Sequence, residues 1–127
     1  MDSPENNTPM ITKENAHAIA EKWIESWNSH DIDSILAHYS EDIVFSSPFI
    51  VKLLGNQSGT IRGKDELRSY FLKGLEAYPE LKFELQNVLT GVDSITLYYK
   101  SVNDLSAAEV MILDPDTKIS KVLAHYS

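Results

Sequence analysis

The most constraining feature of this sequence is a change in its hydrophobic period close to Pro79. Before this point, apolar residues recur every three or four positions over long stretches, which is the spacing of one face of an α-helix. After it, apolar and polar residues alternate in short runs that are separated by turn residues. A helical period followed by a strand period predicts an α+β fold, in which helices cover one face of a largely antiparallel sheet.

Three helices are predicted in the first part of the chain. The first begins after a Thr12 N-cap and ends near residues 28–30. Asp31 is a second N-cap and begins a short helix, and the third helix ends before Pro79. A β-branched and aromatic run at 43–45 predicts one short strand between the second and third helices.

The remaining chain predicts an antiparallel meander. Its strands are expected at 81–89, 94–102, 106–113 and 119–126, with turn residues between them. One apolar segment, 49–54, stands apart from this pattern because it precedes a glycine-containing loop. Three interpretations of it stay open, namely a pocket lid, a buried strand or an exposed patch for a partner protein.

Length and composition limit the function classes. With 127 residues the chain has room for one domain, expected over 12–127 after a loose polar tail at 1–11. The net charge of −8 makes nucleic acid and anionic membranes unfavourable partners. No signal peptide and no apolar run long enough to span a bilayer are visible, so we expect a cytoplasmic protein.

Metal and thiol chemistry are not expected. The chain has no cysteine, which removes thiolate catalysis and disulfides. Its four histidines, His17, His30, His38 and His125, do not form the short-range pairs of a metal motif. We therefore predict no metal and no cofactor.

Glu109 is the most informative single residue. It lies between Ala108 and Val110 in an otherwise apolar strand. Strand alternation places it on the same face as Met111 and Leu113, which is expected to be the inner face. Desolvation should then raise the pKa of Glu109. Three roles remain open for it: a structural partner of a tryptophan or tyrosine, a ligand contact, or an acid/base.

Several short strings in this order resemble one known family. The first string, 23–31, ends in a tryptophan–asparagine pair and an aspartate, and the second, 38–45, contains a tyrosine and an aspartate before a hydrophobic strand. The third, 58–67, leads into a helix through two spaced glycines. The last, 118–122, matches a final lysine–isoleucine hairpin. Together, over residues 12–126, the chain resembles the SnoaL-like branch of the NTF2-like superfamily.

The resemblance implies a cone formed by a curved antiparallel sheet and three helices. It also implies a homodimer packed through the convex face of the sheet, where Tyr98, Val110 and His125 are expected. Members include isomerases, polyketide cyclases, epoxide hydrolases, dehydratases and transport factors, so the fold does not identify a reaction.

The ketosteroid-isomerase pattern of this superfamily fits the chain poorly. Its base matches Ser47, and a serine without a neighbouring base is a poor proton abstractor. Its tyrosine donor matches Trp23, and its oxyanion carboxylic acid matches Glu109. Of these three catalytic positions, only the one at Glu109 keeps a carboxyl group, which argues against ketosteroid isomerase activity.

The resemblance also brings five aromatic residues together inside the cone. They are Trp23, Trp27, Phe71, Tyr99 and Tyr126. They either pack as core or line a pocket for a small apolar or aromatic ligand, with Ser47 as an orienting hydroxyl. Three functions follow: a cofactor-independent isomerase or cyclase that uses Glu109 as acid/base, a non-catalytic small-molecule binding module, or a protein-interaction domain.

Overall fold

The helical first part and the strand-rich second part of the chain form one α+β fold around a curved six-stranded sheet. The computed structural model describes residues 10–127. The helices are α1 (Lys13–Ser29), α2 (Ile32–Leu36), α3 (Pro48–Leu54) and α4 (Lys64–Ala77). The strands are β1 (Tyr39–Ser46), β2 (Thr60–Arg62), β3 (Glu84–Thr90), β4 (Ser94–Lys100), β5 (Ser106–Leu113) and β6 (Ile119–Tyr126). The predicted fold class is confirmed.

The ends of α1 follow from local chemistry that the sequence displays. The Thr12 hydroxyl accepts a hydrogen bond from the Asn15 N–H at 3.0 Å, as an N-cap does. His30 ends the helix in the left-handed region, with a φ of 63°, and its N–H donates to the Trp27 carbonyl. The Asp31 side chain then caps α2 by accepting from the Asp33 N–H.

Most of the predicted tail, residues 1–9, lies outside the described residues. At residue 11 the chain is already anchored, because the Ile11 N–H donates to the Val92 carbonyl at 3.1 Å. The backbone therefore joins the β3–β4 turn just before α1 begins.

The sheet has the order β2-β1-β6-β5-β4-β3 and contains one exception to the antiparallel prediction. Strands β1 and β6 are parallel, with Phe45 opposite Val122. Parallel neighbours need a long crossover connection, and here the whole chain between β1 and β6 supplies it. No turn signal marks this pairing, so local patterns in the sequence do not reveal it.

The apolar segment at 49–54 forms a helix, which corrects the interpretation of a buried strand. Ser47 is the N-cap of α3, and its hydroxyl accepts from the Phe49 N–H at 3.1 Å. Pro48 lies at the first helical position, and Gly55 follows the last turn with a φ of 67°. A proline at the start and a left-handed glycine at the end are typical helix boundaries. Ile50 is buried, whereas Val51 faces solvent.

A two-point backbone clamp joins the end of α1 to the segment that leads into β3. The Asn28 side-chain amide donates to the Phe83 carbonyl at 3.0 Å, and its carbonyl accepts from the Phe83 N–H at 2.7 Å. His30 Nε2 lies 2.8 Å from the Leu81 carbonyl oxygen. These contacts fix the position of α1, and therefore of its tryptophans, over the concave face of the sheet.

Candidate functional site

A cavity of about 60 Å³ lies between the concave face of the sheet and helices α1 and α4. Six of the seven residues that we predicted for the site lie in its wall. They are Trp23, Trp27, Phe71, Tyr99, Glu109 and Tyr126. The volume holds a few water molecules or one small chemical group. We call this space and its wall the aromatic pocket.

Helical and strand periodicity explain why these rings meet. Trp23 and Trp27 are four residues apart on α1 and therefore face the same side. The rings of Trp27 and Phe71 pack edge to face with centroids 4.6 Å apart. Trp23 contacts Tyr99 in the same way at 5.3 Å. Such edge-to-face contacts stabilise the wall and fix the direction of each ring.

Glu109 is the charged residue of this wall. Strand alternation turns it inward with Met111, and it is only 3 % exposed. The Tyr99 hydroxyl donates to Glu109 Oε1 at 2.6 Å. Burial raises the pKa of Glu109 to about 7, although the hydrogen bond from Tyr99 favours the charged form. Near neutral pH, Glu109 therefore exists in both protonation states.

The charge of this carboxyl group acts on four phenols, of which Tyr39, Tyr70 and Tyr99 are buried and Tyr126 is half-buried. Burial raises the pKa of each of them, and the negative charge of Glu109 raises it further. All four therefore remain protonated at neutral pH. Tyr99 is the phenol with a hydrogen bond to the Glu109 carboxyl among the described residues.

The two indole N–H groups of the wall differ in whether they donate a hydrogen bond. Trp23 Nε1 donates to the Tyr39 hydroxyl at 2.9 Å. Trp27 Nε1 is buried and has no hydrogen-bond partner among the described residues. Trp27 Nε1 lies close enough to the Tyr39 hydroxyl to lower its pKa, which opposes the larger effect of burial. Of the two indoles, Trp23 is the one with the geometry of a hydrogen bond to Tyr39.

Ser47, the seventh predicted site residue, lies outside the pocket wall. Its buried hydroxyl caps α3, and the Tyr70 hydroxyl is 3.5 Å away. The serine therefore holds the start of α3 in place. The isomerase pattern places a catalytic carboxylate at this position. Here the position holds a helix-capping hydroxyl, which is not a base.

On the side of the pocket nearest to solvent, the pocket-lid interpretation of 49–54 covered Phe49, whereas Tyr78 and Val102 were not predicted. The half-buried residues Phe49, Tyr78 and Val102 line this side, and Phe49 packs edge to face on Tyr126 at 4.7 Å. We call these three residues the mouth. The helix signals around 49–54 could have placed Phe49 on a helix, but its position over Tyr126 depends on how α3 packs against β6.

A second omission is Phe83, which continues the wall beside β3. Its ring stacks on Trp23 with centroids 5.7 Å apart and an interplanar angle of 18°. Alternation with Leu81 in the sequence marks it as buried, but not as a neighbour of Trp23. The Asn28 clamp at the Phe83 backbone creates that contact.

The histidines lie apart from the aromatic pocket. His17 and His125 are exposed, and His38 Nε2 lies 2.9 Å from the Ser26 hydroxyl. Burial lowers the pKa of His38, and the charges of Lys118 and Lys22 add to this effect. Within residues 10–127, no group of three or more His, Asp or Glu residues is arranged to hold a metal ion.

The combination of a curved sheet, covering helices and an interior aromatic pocket defines the cystatin-like or NTF2-like fold class. The model of the SnoaL-like domain family matches residues 20–110 of this chain. The chain belongs to the SnoaL-like family. No curated protein matches it at a significant level.

Solved structures agree with this assignment. A SnoaL-like protein of unknown function from Burkholderia thailandensis E264 is 40 % identical, with 93 % of this chain and 98 % of that chain covered and a TM-score of 0.90. SalBIII, an epoxide hydrolase/cyclase-like enzyme with a role in pyran ring formation in the polyether salinomycin, is 19 % identical, with coverage of 91 % and 92 % and a TM-score of 0.71. A putative ketosteroid isomerase from Kribbella flavida DSM 17836 is 19 % identical, with coverage of 90 % and 78 % and a TM-score of 0.64. The last two show the fold alone.

In the described part of the chain, no helix combines the length and apolar character needed to cross a membrane.

Proposed function

We propose that the chain binds a small, largely apolar molecule in the aromatic pocket and uses Glu109 as acid/base in a cofactor-independent isomerisation or cyclisation. The observation that carries this proposal is the position of Glu109. Its carboxyl is fully buried in the pocket wall, and its pKa is about 7. An acid/base works best when its pKa is close to the working pH, because both protonation states are then available.

The proton transfer needs no group from outside the chain. The Glu109 carboxylate takes a proton from the carbon next to a carbonyl group, and the electron pair of that C–H bond forms an enolate whose negative charge lies on oxygen. The protonated Glu109 then returns a proton to the same carbon or to another carbon of a conjugated system. The Tyr99 hydroxyl, 2.6 Å from Oε1, orients the carboxyl and stabilises its charged form.

Deuterium exchange into acetone, the smallest ketone and the one best suited to a cavity of about 60 Å³, tests this reaction without knowledge of the natural substrate. We expect the wild-type protein in D2O to accelerate exchange at the carbons beside the carbonyl, with a rate that rises with pH and levels off above about 7. Glu109→Gln should abolish the acceleration, because an amide does not accept the proton. NMR of the ketone measures the rate, and Glu84→Gln, at an exposed carboxylate of β3, is the matched control.

The proposal of catalysis is wrong if wild type and Glu109→Gln exchange the bound ketone at the same rate. The non-catalytic binding module would then be the better description. The interior position of Glu109 would in that case serve stability and ligand contact only.

We also propose that two chains form a homodimer through the convex face of the sheet, as the family resemblance implies. This face carries exposed apolar side chains, including Tyr98 at 41 % and Leu123 at 39 % exposure. Val110 lies opposite Leu123 in the register, and Tyr98 lies opposite Ala108, two residues along β5, so this face has apolar side chains on three neighbouring strands. Its burial against a second copy would remove it from water.

Leu123→Glu should convert the dimer into a monomer, because it places a charge in the middle of this apolar surface. Light scattering at micromolar concentration measures the change in mass. Leu72→Glu, at a 45 % exposed position on α4, is the control and should leave the dimer intact. A wild-type protein that is monomeric under these conditions contradicts the proposal.

A further inference from the structure

We infer that the ligand is an uncharged, elongated molecule whose small apolar end lies in the aromatic pocket and whose hydrogen-bonding end lies beyond the mouth, against the Ser101 hydroxyl. This inference deepens the proposed small-molecule function and rests on it. It adds an outer part to the site and assigns a chemical class to the ligand.

A groove of about 290 Å³ continues the aromatic pocket at its mouth. The segment 77–82 at the end of α4 forms one side of this groove, and the loop 101–103 after β4 forms the other. Four residues line both the groove and the aromatic pocket, namely Tyr78, Leu81, Ser101 and Val102. A ligand that extends through the mouth therefore contacts both spaces.

The two volumes explain why a ligand would use both parts. The aromatic pocket, at about 60 Å³, holds one small chemical group. Sites for small molecules in proteins commonly have volumes of about 300–1,000 Å³. The aromatic pocket reaches this range only together with the groove, so a larger ligand has to extend beyond the mouth.

Ser101 lies at the point where the two spaces meet. It follows Tyr99 by two residues, so strand alternation directs its side chain to the same concave face, and it is only 7 % exposed. Its backbone N–H donates to the Leu105 carbonyl at 2.7 Å. Its hydroxyl has no hydrogen bond within residues 10–127, and it does not cap the short turn 102–104 that follows it.

The Ser101 hydroxyl keeps surface that a ligand can reach. Among the buried side-chain nitrogen and oxygen atoms of the described chain that are closed to water, Trp27 Nε1 alone has no hydrogen-bond partner. The unpaired Ser101 hydroxyl is therefore not closed to water, and the residue lines both the pocket and the groove. Because polar groups in buried residues are nearly always paired, a free hydroxyl here favours a partner that enters this space.

The side chains of the groove favour a neutral polar end over a charged one. Glu80 and Lys82 carry opposite charges and are both exposed, so their effects on a ligand oppose each other and are screened by solvent. Ser101 and Asn103 supply neutral hydrogen-bonding groups. In the aromatic pocket, an anionic end would also be repelled by the charged form of Glu109.

Two probes of equal chain length test the hydrogen-bonding end. They are pentan-1-ol and 1-chloropentane, which has no O–H group and is a poor acceptor. Ser101→Ala should weaken the binding of pentan-1-ol about three- to tenfold, the range of one neutral hydrogen bond, and leave the binding of 1-chloropentane unchanged. NMR titration of the labelled protein measures both affinities. Ser69→Ala, at an exposed position of α4, is the control and should bind both probes as wild type does.

The direction and the charge of the ligand have their own tests. Nuclear Overhauser contacts should join the pentan-1-ol methyl group to the rings of Trp27 and Phe71, and the carbon that carries the hydroxyl to Val102. Contacts in the opposite direction, or contacts confined to the groove, would overturn the inference. Tighter binding of pentylammonium or hexanoate than of pentan-1-ol would overturn the assignment of an uncharged ligand.

The outcomes separate this inference from the proposed function. If Ser101→Ala weakens only pentan-1-ol binding but Glu109→Gln has no effect on deuterium exchange into acetone, catalysis fails and the inference stands. If exchange depends on Glu109 but Ser101→Ala binds both probes as wild type does, the inference fails and catalysis stands.

Two further results overturn the inference. An equal loss of affinity for both probes in Ser101→Ala would show that the substitution changes the shape of the site and does not remove a hydrogen bond to the ligand. Absence of binding by either probe up to its solubility limit would overturn both the inference and the small-molecule pocket on which it rests.

Discussion

Replacement of Glu109 by Gln should stabilise the protein relative to wild type progressively as the pH rises from about 5 to about 8. The pKa of Glu109 is about 7 in the folded chain and 4.5 when unperturbed. The folded state therefore binds this proton more tightly than the unfolded state. The favourable contribution is fully present below the unfolded pKa and is lost as the pH rises through about 7.

The size of this change follows from the shift in pKa. One unit corresponds to about 1.4 kcal/mol, so the difference in unfolding free energy between Glu109→Gln and wild type should grow by about 3 kcal/mol over this pH range. Gln is neutral at every pH in the range and retains an oxygen that accepts from the Tyr99 hydroxyl.

Urea unfolding of both proteins at a series of pH values measures this difference. Glu84→Gln, at an exposed site, should follow the wild-type curve at all pH values. Parallel curves for wild type and Glu109→Gln would contradict the raised pKa.

Asn28→Ala should destabilise the fold by about 3 kcal/mol, independently of pH near neutrality. The Asn28 side chain satisfies both the N–H and the carbonyl of Phe83, at 2.7 and 3.0 Å. Its removal leaves two backbone groups without these partners, and each unsatisfied group costs about 1–3 kcal/mol. Phe83 also packs on Trp23, so the contact between α1 and the sheet should loosen with it.

Chemical denaturation of Asn28→Ala beside Asn15→Ala tests this clamp. Asn15 is an exposed residue in the first turn of the same helix, and its replacement should change stability by less than about 0.5 kcal/mol. A loss below 1 kcal/mol for Asn28→Ala would mean that water replaces the clamp. The clamp gives a structural meaning to the tryptophan–asparagine string that marks the family resemblance.

Local structure was largely predictable because its causes are local. The caps at Thr12 and Asp31, the end of α1 near His30, and the bounds of β5 and β6 follow from residues that are neighbours in sequence. The same is true of the inward direction of Glu109, since alternation along a strand depends only on the strand itself. The segment 49–54 was misjudged because its short apolar run fits several structures until its terminal proline and glycine are weighed.

The role of the candidate site residues stays a prediction, and their geometry could not be read from local patterns. The family resemblance grouped the aromatic residues and strand alternation turned Glu109 inward, and in the structure these residues line one cavity. No local pattern distinguishes Trp23, whose N–H is bonded to Tyr39, from Trp27, whose N–H is not. Ser47, predicted as an orienting hydroxyl, caps α3 by accepting from the Phe49 N–H and lies outside the pocket wall, a position that depends on how α3 packs.

The sequence by itself determined the period of the longer segments, the order of all elements except α3 and β2, and the inward face of β5. These properties depend on interactions within a few residues of each other. Only the tertiary structure decided the parallel pairing of β1 with β6, the small volume left between the rings, and how far burial raises the pKa of Glu109. Those depend on groups far apart in the chain, because desolvation and packing are set by everything that surrounds a side chain.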